Sequence, residues 1–376
     1  MAPHPYRNLA AHHFWRLQVS GRRPSEIDYD AAPKFVFDLS QDCFATAGSC
    51  FAQHFGRELD RRGGRLCITE TRHPLMPSEA ELGYGLFSAR YGNIYTTRQL
   101  RELVDQVFAL REPIFEWAQR EDGRWVDMLR PTAVSDGYSS PEEARADRVY
   151  HLDRVRAAFL SATVLVFTFG LTEGWENAER GFVYPICPGT AAGEFDERIH
   201  RFKNLSYPEC LEDMQYVFDV LLHANPELRV LLTVSPVMLV ASFESRGALQ
   251  SSVASKSVLR AVAEACRNDW HAVDYFPAYE IVSGPQAEGR FYDASRRDVS
   301  ADGVAAVMDA FFASRFAGSQ GLPRAERCDE PSESRVAASG KIEQAIQAEC
   351  DELLLDPGLA DVTAMHDARW MQEEGR

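Results

Sequence analysis

Ser49 is the residue whose type and position best fit a chemical role. Residues 43–47 form a short apolar stretch, and apolar residues recur at helical spacing from Phe51 onward. This pattern predicts a strand, a tight turn at Gly48 and Ser49, and a helix. At such a turn a serine hydroxyl can project from the sheet edge and act as a nucleophile toward acyl esters. The backbone N–H groups at the start of the helix can then surround the oxyanion that develops.

Two other interpretations of this turn stay open. Serine is a common helix N-cap, so Ser49 can have a purely structural role. Cys50 offers a thiol as an alternative nucleophile, but its place one residue further along favours a buried side chain. The choice depends on which other residues meet Ser49 in the fold.

Candidate partners of Ser49 are the polar residues that follow other predicted strands. Apolar, β-branched runs predict strands at residues 163–169, 229–234 and 272–276. Ligands of an open parallel sheet bind beyond the carboxyl ends of its strands. The residues at those ends are Gly170, Thr172, Glu173, Ser235, Tyr279 and Glu280, together with the loop at 292–302. We expect them to line the same edge as Ser49.

A serine nucleophile needs a general base, and three kinds of base stay open. A carboxylate can serve if desolvation raises its pKa toward neutrality, the candidates being Glu173, Glu280 and Asp298. The histidines nearest to predicted site loops are His54, His73 and His271. Lys256 can act if burial lowers its pKa. Structural alternatives are a helix N-cap for Asp298, a helix-face position for His54 and an ion pair for Lys256.

Strands and helices that would position these residues alternate along the chain. Two further strands are predicted at residues 43–47 and 65–69. A first helix carries Phe51, Phe55 and Leu59 and ends before Gly63, and further helices are predicted at 97–110, 151–161, 209–223, 251–267 and 301–316. Such alternation implies a parallel sheet of about five strands with helices on both faces. The predicted fold is an α/β, three-layer α/β/α sandwich.

Three parts of the chain differ from this pattern. Residues 1–40 have little periodicity and are predicted to be an arm packed on the body. Within the main domain, residues 41–317, turn signals predict an insertion around 78–149. Residues 318–376 carry thirteen acidic and six basic residues, and 341–355 can form an amphipathic helix. This acidic tail is either a solvated appendage or a docking segment for a protein partner.

Composition excludes several classes of function. A formal net charge of −16 without a long basic run argues against nucleic acid as a partner. No apolar stretch approaches the roughly 20 residues of a membrane span, so we expect a cytoplasmic protein. Neither metal-ligand spacing nor a GxxxxGK[ST] loop is present. We therefore expect no metal and no cofactor.

Several separated motifs resemble the GSCFA family. They are AGSCFAQHFG at residues 47–56, YGNIYT at 91–96, FTFGLTE at 167–173, TVSPV at 233–237, SKS at 255–257 with Leu259 and Arg260, and YFPAYE at 275–280. The resemblance covers roughly residues 5–316, and the agreement of several motifs in order makes it specific. That family is similar to SGNH/GDSL esterases, which implies a flavodoxin-like sandwich and removal or transfer of acyl groups, often on carbohydrates.

The resemblance also implies roles for individual residues. Ser49 matches the nucleophile, with its backbone N–H as one oxyanion donor, and Gly92 with Asn93 matches the second donor. In the third block, at residues 170–173, Thr172 stands where SGNH enzymes carry an asparagine. Before the last helix those enzymes have Asp-x-x-His, whereas this chain has Ser295 and Asp298 in the two places. The usual Ser-His-Asp triad is therefore incomplete.

Three functions follow as hypotheses. The first is an acyl-ester hydrolase or O-acyltransferase with Ser49 as nucleophile, acting on a small-molecule or carbohydrate acyl ester. The second is a catalytically silent binding module that has kept the pocket and lost the base. They differ in whether a base lies within about 2.6–3.2 Å of the Ser49 hydroxyl. The third is a scaffold whose acidic tail recruits a partner.

Overall fold

The computed structural model describes residues 4–71, 84–85, 87–134 and 136–316. The helices and strands in chain order are α1 (Trp15–Gln18), β1 (Cys43–Gly48), α2 (Ala52–Arg61), β2 (Arg65–Leu66), α3 (Thr97–Val107), β3 (Trp117–Gln119), β4 (Trp125–Asp127), α4 (Pro141–Ser161), β5 (Val164–Phe169), β6 (Glu173–Asn177), β7 (Phe182–Tyr184), β8 (His200–Asn204), α5 (Tyr207–Ala224), β9 (Arg229–Val234), α6 (Ala248–Asp269), β10 (Val273–Tyr275), α7 (Ala278–Ser283) and α8 (Ala301–Arg315). The acidic tail, its expected helix over 341–355 and residues 78–83 of the expected insertion lie outside the described residues.

The central sheet contains five parallel strands in the order β2-β1-β5-β9-β10. Counted along the chain among these five strands, the order is 2-1-3-4-5, which is the flavodoxin-like order. The predicted α/β fold class is confirmed. The strand order reverses between β1 and β5, so a crevice is expected beyond their carboxyl ends.

Two apolar cores cover the two faces of this sheet. Successive side chains of a strand point to opposite faces, so β5 contributes to both cores. Leu165 and Phe167 pack on the side of α3, α4, α5 and α6. Val164 and Val166 pack on the side of α2, α7 and α8. The result is a three-layer α/β/α sandwich.

The segment before β1 is attached to the end of α8. Phe37 forms a parallel β-bridge with Phe316, and its amide donates to the carbonyl of Arg315 at 2.6 Å. The buried guanidinium of Arg315 donates to the carboxylates of Asp274 and Asp30, each at 2.6 Å. Because a buried cation is tolerated only with such partners, these three residues form an ionic lock between the arm and the body.

Several elements differ from those that the sequence predicted. The helix expected to start near residue 151 begins at Pro141, because Ser140 caps it by accepting a hydrogen bond from the Glu143 amide at 3.2 Å. The antiparallel hairpin of β3 and β4 and the antiparallel sheet β7-β6-β8 were not predicted. Glu173, expected in a loop, is the first residue of β6.

Candidate active site

Gly48 and Ser49 form the tight turn between β1 and α2. Gly48 has φ of +125°, and a Cβ atom there would lie 2.2 Å from the carbonyl oxygen of Thr168 on β5. Only glycine fits such a close approach. The Ser49 amide donates to that same carbonyl at 3.0 Å, and the Ser49 carbonyl accepts from the Ala52 amide at 2.9 Å. Ser49 is thereby held at the switch point of the sheet.

A small cavity lies at this point. Its lining comes from the turn after β1, the loops after β5 and β9, the 91–96 segment and α6, and consists of Ser49, Cys50, Tyr95, Gly170, Leu171, Ser235, Val237 and Lys256. The volume in which the centre of a water molecule can lie is about 10 Å³, which is close to what one ordered water needs. Four of the candidate residues, Ser49, Gly170, Ser235 and Lys256, therefore meet in one place.

The Ser49 hydroxyl is sealed in this cavity. The residue is 2% exposed, and its Oγ has no hydrogen-bond partner among the described residues. A buried hydroxyl without a partner costs roughly 1–3 kcal/mol, so such groups are rare in folded proteins. The hydroxyl therefore faces the cavity without a protein partner, next to a space of about the size that one water needs.

Lys256 brings an amino group to the same cavity. The residue is 1% exposed, and its Nζ donates to the carbonyl of Gly170 at 2.7 Å. Burial in general favours the neutral amine of lysine over its ammonium ion. The Ser49 hydroxyl has no hydrogen-bond partner among the described residues, so no base there, Lys256 included, lies within direct hydrogen-bonding reach of it.

Glu280 and Tyr279 lie elsewhere, contrary to the expectation that they line the Ser49 edge. The Glu280 carboxylate accepts hydrogen bonds from Arg260 Nε at 2.6 Å and from the Tyr275 hydroxyl at 2.7 Å. Both Tyr279 and Glu280 line a second cavity together with residues of the arm. The reason is that α7 carries them away from the carboxyl end of β10 and toward α1.

Asp298 is near the site but does not line the Ser49 cavity. Its carboxylate forms an ion pair with Arg297 at 2.5 Å, and burial raises its pKa above the ordinary value. Its loop contacts the segment after β9, where the Met238 amide donates to the Arg297 carbonyl at 3.4 Å. Asp298 is also not the N-cap of α8, because Ser300 accepts the Gly303 amide at 3.2 Å.

The histidine candidates lie away from the cavity. His54 packs against the Phe51 ring on α2, and burial lowers its pKa to about 4. His271 is exposed just before β10, at the amino end of the strand and therefore at the opposite edge of the sheet. His73 is outside the described residues. Neither described histidine lines the space around Ser49.

Thr172 and Glu173 bind other parts of the protein. The Thr172 hydroxyl donates to Asn204 on β8 at 2.7 Å, so it is directed away from the cavity. The Glu173 carboxylate accepts from the Ser242 hydroxyl at 2.8 Å and from the Phe243 amide at 3.3 Å, and burial raises its pKa. Glu173 therefore fastens the loop between β9 and α6, whose first residues line the cavity.

The segment with Gly92 and Asn93 runs alongside the turn of Ser49. The Ile94 amide donates to the Gly48 carbonyl at 2.8 Å, and the Tyr95 carbonyl accepts from the amides of Gly170 and Leu171 at 3.1 and 3.0 Å. Only Tyr95 of this segment lines the cavity. Tyr95 and Val237 were not singled out from sequence, although each lies inside one of the motifs quoted above; Leu171 was named only within the block at residues 170–173.

Cys50 also lines the cavity, whereas the sequence favoured a side chain directed into the core. It stays a second candidate nucleophile beside Ser49. Among the described residues, no group of three His, Cys, Asp or Glu side chains is placed to hold a metal ion. In the same part of the chain, no helix combines the length and the apolarity that crossing a lipid bilayer requires.

Comparison with known proteins gives one match. The model of the GSCFA family matches residues 43–311, which include every residue that lines the Ser49 cavity. Neither the curated proteins nor the solved structures contain a significant match to the chain.

Proposed function

The chain belongs to the GSCFA family, and on that premise we propose that it is an acyl-ester enzyme, a hydrolase or O-acyltransferase, with Ser49 as nucleophile and Lys256 as general base. One observation carries the proposal: the unpartnered Ser49 hydroxyl and the buried Lys256 amine share one cavity at the switch point of the sheet. Lys256 replaces the histidine that the SGNH pattern would require.

In the proposed reaction the neutral amine of Lys256 accepts the Ser49 proton while Oγ bonds to the acyl carbon. Collapse of the tetrahedral intermediate breaks the ester C–O bond, and the Lys256 ammonium returns the proton to the departing alcohol oxygen. Water or an acceptor hydroxyl then attacks the acyl-serine and gives its proton to Lys256. The C–O bond to Ser49 breaks and Oγ takes the proton back, so that water yields the free acid and an acceptor hydroxyl yields a new ester.

Ser235 is the proposed relay between these two groups. It lines the cavity, and its Oγ accepts the Val237 amide at 3.3 Å, which leaves its own proton available to donate. Because Ser49 Oγ has no hydrogen-bond partner among the described residues, Ser235 would join Ser49 to Lys256 only after the cavity wall has moved. Ser235→Ala should then lower turnover by roughly 10²–10⁴-fold, the range of a lost acid–base contribution.

Substrate entry requires a movement of the cavity wall, because the closed cavity holds no more than about one water. We infer that Tyr95 is displaced. The Tyr95 carbonyl now accepts hydrogen bonds from the amides of Gly170 and Leu171. If Tyr95 moves away, these two N–H groups can donate to the oxyanion instead. The Ser49 amide is bonded to Thr168, so it is a weaker candidate for that role.

The proposed substrate is an acyl ester of a small molecule or carbohydrate, a class supported only by the likeness to SGNH/GDSL esterases. The test is turnover of p-nitrophenyl acetate and acetylated sugars between pH 6 and 9. Ser49→Ala and Lys256→Met should each lower kcat by at least about 10³-fold, the loss typical of a missing nucleophile or base.

The matched control is Ser257→Ala, which removes an exposed hydroxyl next to Lys256 that bonds only the Val253 carbonyl at 2.7 Å. It should leave turnover unchanged. Mass spectrometry of the acylated protein should place the acyl group on Ser49. An acyl group on Cys50, or full activity of Lys256→Met, would contradict the assignment.

The sealing of Ser49 favours a second candidate, a catalytically silent binding module. In that case neither the wild type nor any variant turns over the esters, and a fluorophosphonate probe leaves Ser49 unlabelled. Labelling that depends on Lys256 excludes this alternative.

A further inference from the structure

A second and larger cavity lies between the arm and α7. Residues of the arm on one side, Trp15, Gln18 and Tyr29, face residues of the α7 segment on the other, Tyr279, Glu280 and Gln286. The space open to the centre of a water molecule is about 280 Å³, far more than that of the Ser49 cavity. This is the size of site that takes a small organic ligand.

We propose that this arm cavity binds one neutral sugar residue, either free or at the end of a saccharide. The site is distinct from the Ser49 cavity, with which it shares no lining residue. The proposal does not depend on the acyl-ester function, and it assigns a role to Tyr279 and Glu280, which the catalytic proposal leaves unused.

Aromatic rings give the cavity its apolar character. Trp15, which is 62% exposed, lines the cavity from the arm. Tyr29 and Tyr279 contribute further rings from the two sides. Flat apolar surfaces combined with polar tips suit the C–H face of a pyranose ring better than they suit a flexible aliphatic chain.

The charges around the cavity argue for a neutral ligand. Glu280 is the one charged side chain among the described lining residues, and Arg260 neutralises it at 2.6 Å while Tyr275 donates a further hydrogen bond. A cationic ligand would have to compete with Arg260 for Glu280, and an anionic ligand would find no cationic side chain among the lining residues.

Polar groups in the cavity are fixed in position. The Gln286 amide nitrogen donates to the Glu280 carbonyl at 2.8 Å, and the Gln18 amide nitrogen donates to the Asp28 carbonyl at 2.8 Å. Ser283 shares a hydrogen bond of 2.6 Å with Tyr292. Such anchoring lowers the entropy lost on binding.

The experiment is ligand-observed NMR and calorimetry on the full chain with methyl glycosides of a hexose, an N-acetylhexosamine, a deoxyhexose and a uronic acid. At least one neutral glycoside should bind with a millimolar Kd, as expected for a single small sugar in a shallow site. Ser49→Ala should bind it equally well. Trp15→Ala should weaken binding at least about tenfold, a loss within the range of a binding hot spot.

Tyr6→Ala is the matched control, because Tyr6 is an aromatic residue of the same arm that is 65% exposed and does not line the cavity. It should bind as the wild type does. Tyr279→Phe, which removes only a hydroxyl, serves as a second variant and should bind more weakly while melting at the wild-type temperature. The proposal is overturned if no neutral glycoside binds, if Trp15→Ala binds normally, or if Ser49→Ala abolishes binding.

Discussion

At the residue scale, Gly48 determines whether β1 and β5 can approach each other beside Ser49. Gly48→Ala places a methyl group against the Thr168 backbone. It also forces a residue that has a side chain to adopt the φ of +125° that Gly48 has. We expect a loss of unfolding free energy above about 3 kcal/mol, because steric overlap adds to about 1–3 kcal/mol of backbone strain. Urea denaturation measures the loss.

Gly63→Ala is the control for this prediction. Gly63 has φ of +79°, but a Cβ atom there would meet nothing within 4 Å. It should cost about 1 kcal/mol, since only the strain of the backbone remains. Equal stability of the two variants would show that the approach of β1 to Thr168 is not tight.

Glu102 makes stability depend on pH. Its buried carboxyl accepts the Val183 amide at 3.0 Å, and burial raises its pKa to about 7. The uncharged form is thus favoured in the folded state. The stabilisation that the protonated Glu102 carboxyl provides is complete below the pKa of the unfolded state, 4.5, and is lost as the pH rises through the folded-state pKa of about 7.

Glu102→Gln removes this titration while keeping an acceptor for Val183. At pH 8 the free energy of unfolding of the variant should exceed that of the wild type by about 3 kcal/mol. At pH 5 this difference should be only about 1 kcal/mol, because the wild-type carboxyl is then protonated in the folded state. Urea denaturation at both pH values tests it, with the exposed Glu112→Gln as control. A gain that does not change with pH would contradict the role of the buried carboxyl.

The sequence singled out the proposed nucleophile more clearly than the proposed base. Ser49 was proposed because an apolar strand, a Gly-Ser turn and an apolar-periodic helix adjoin along the chain. The base stayed open, since Glu280 follows a predicted strand, Asp298 lies in the loop before the last helix and Lys256 lies within a predicted helix. Only the packing of α6 across the end of β5 places Lys256, and not Glu280, in the Ser49 cavity.

At the scale of elements, burial decided which strands could be predicted. β5 and β9 are continuous apolar runs and were predicted within a residue of their observed bounds. β2 was expected over five residues and has two, because an edge strand has only one neighbour to pair with. β6 and β8 contain polar residues such as Glu173 and Lys203 and have no apolar run that predicts a strand. They are strands because they pair with each other, which the sequence of either segment alone does not show.

The ionic lock predicts how strongly the arm is attached. Arg315→Met leaves the carboxylates of Asp30 and Asp274 buried without their cation, so we expect a loss of about 3–5 kcal/mol in unfolding free energy. Arg290→Met, which removes an exposed pair with Glu288, should cost less than about 1 kcal/mol. A loss below that of the control would mean that the lock contributes little.

At the scale of the whole molecule, the family match ends at residue 311 and the last described residue, Phe316, still pairs with Phe37. A chain that ends at Gly318 should therefore keep its melting temperature and its Ser49-dependent turnover. Thermal denaturation and the ester assay test this expectation. Loss of turnover in a folded truncated chain would support the hypothesis that the acidic tail takes part in function.

The ionic lock also has a consequence for how the protein is made. Asp30 leaves the ribosome early, whereas its partner Arg315 follows 285 residues later. At about 5–20 residues per second, on the order of 15–60 s pass between the synthesis of the two residues. During that interval the arm can be held by contacts with earlier residues, such as the Lys34 amide with Asp274 at 2.7 Å, whereas the ionic lock forms only after translation has passed α8.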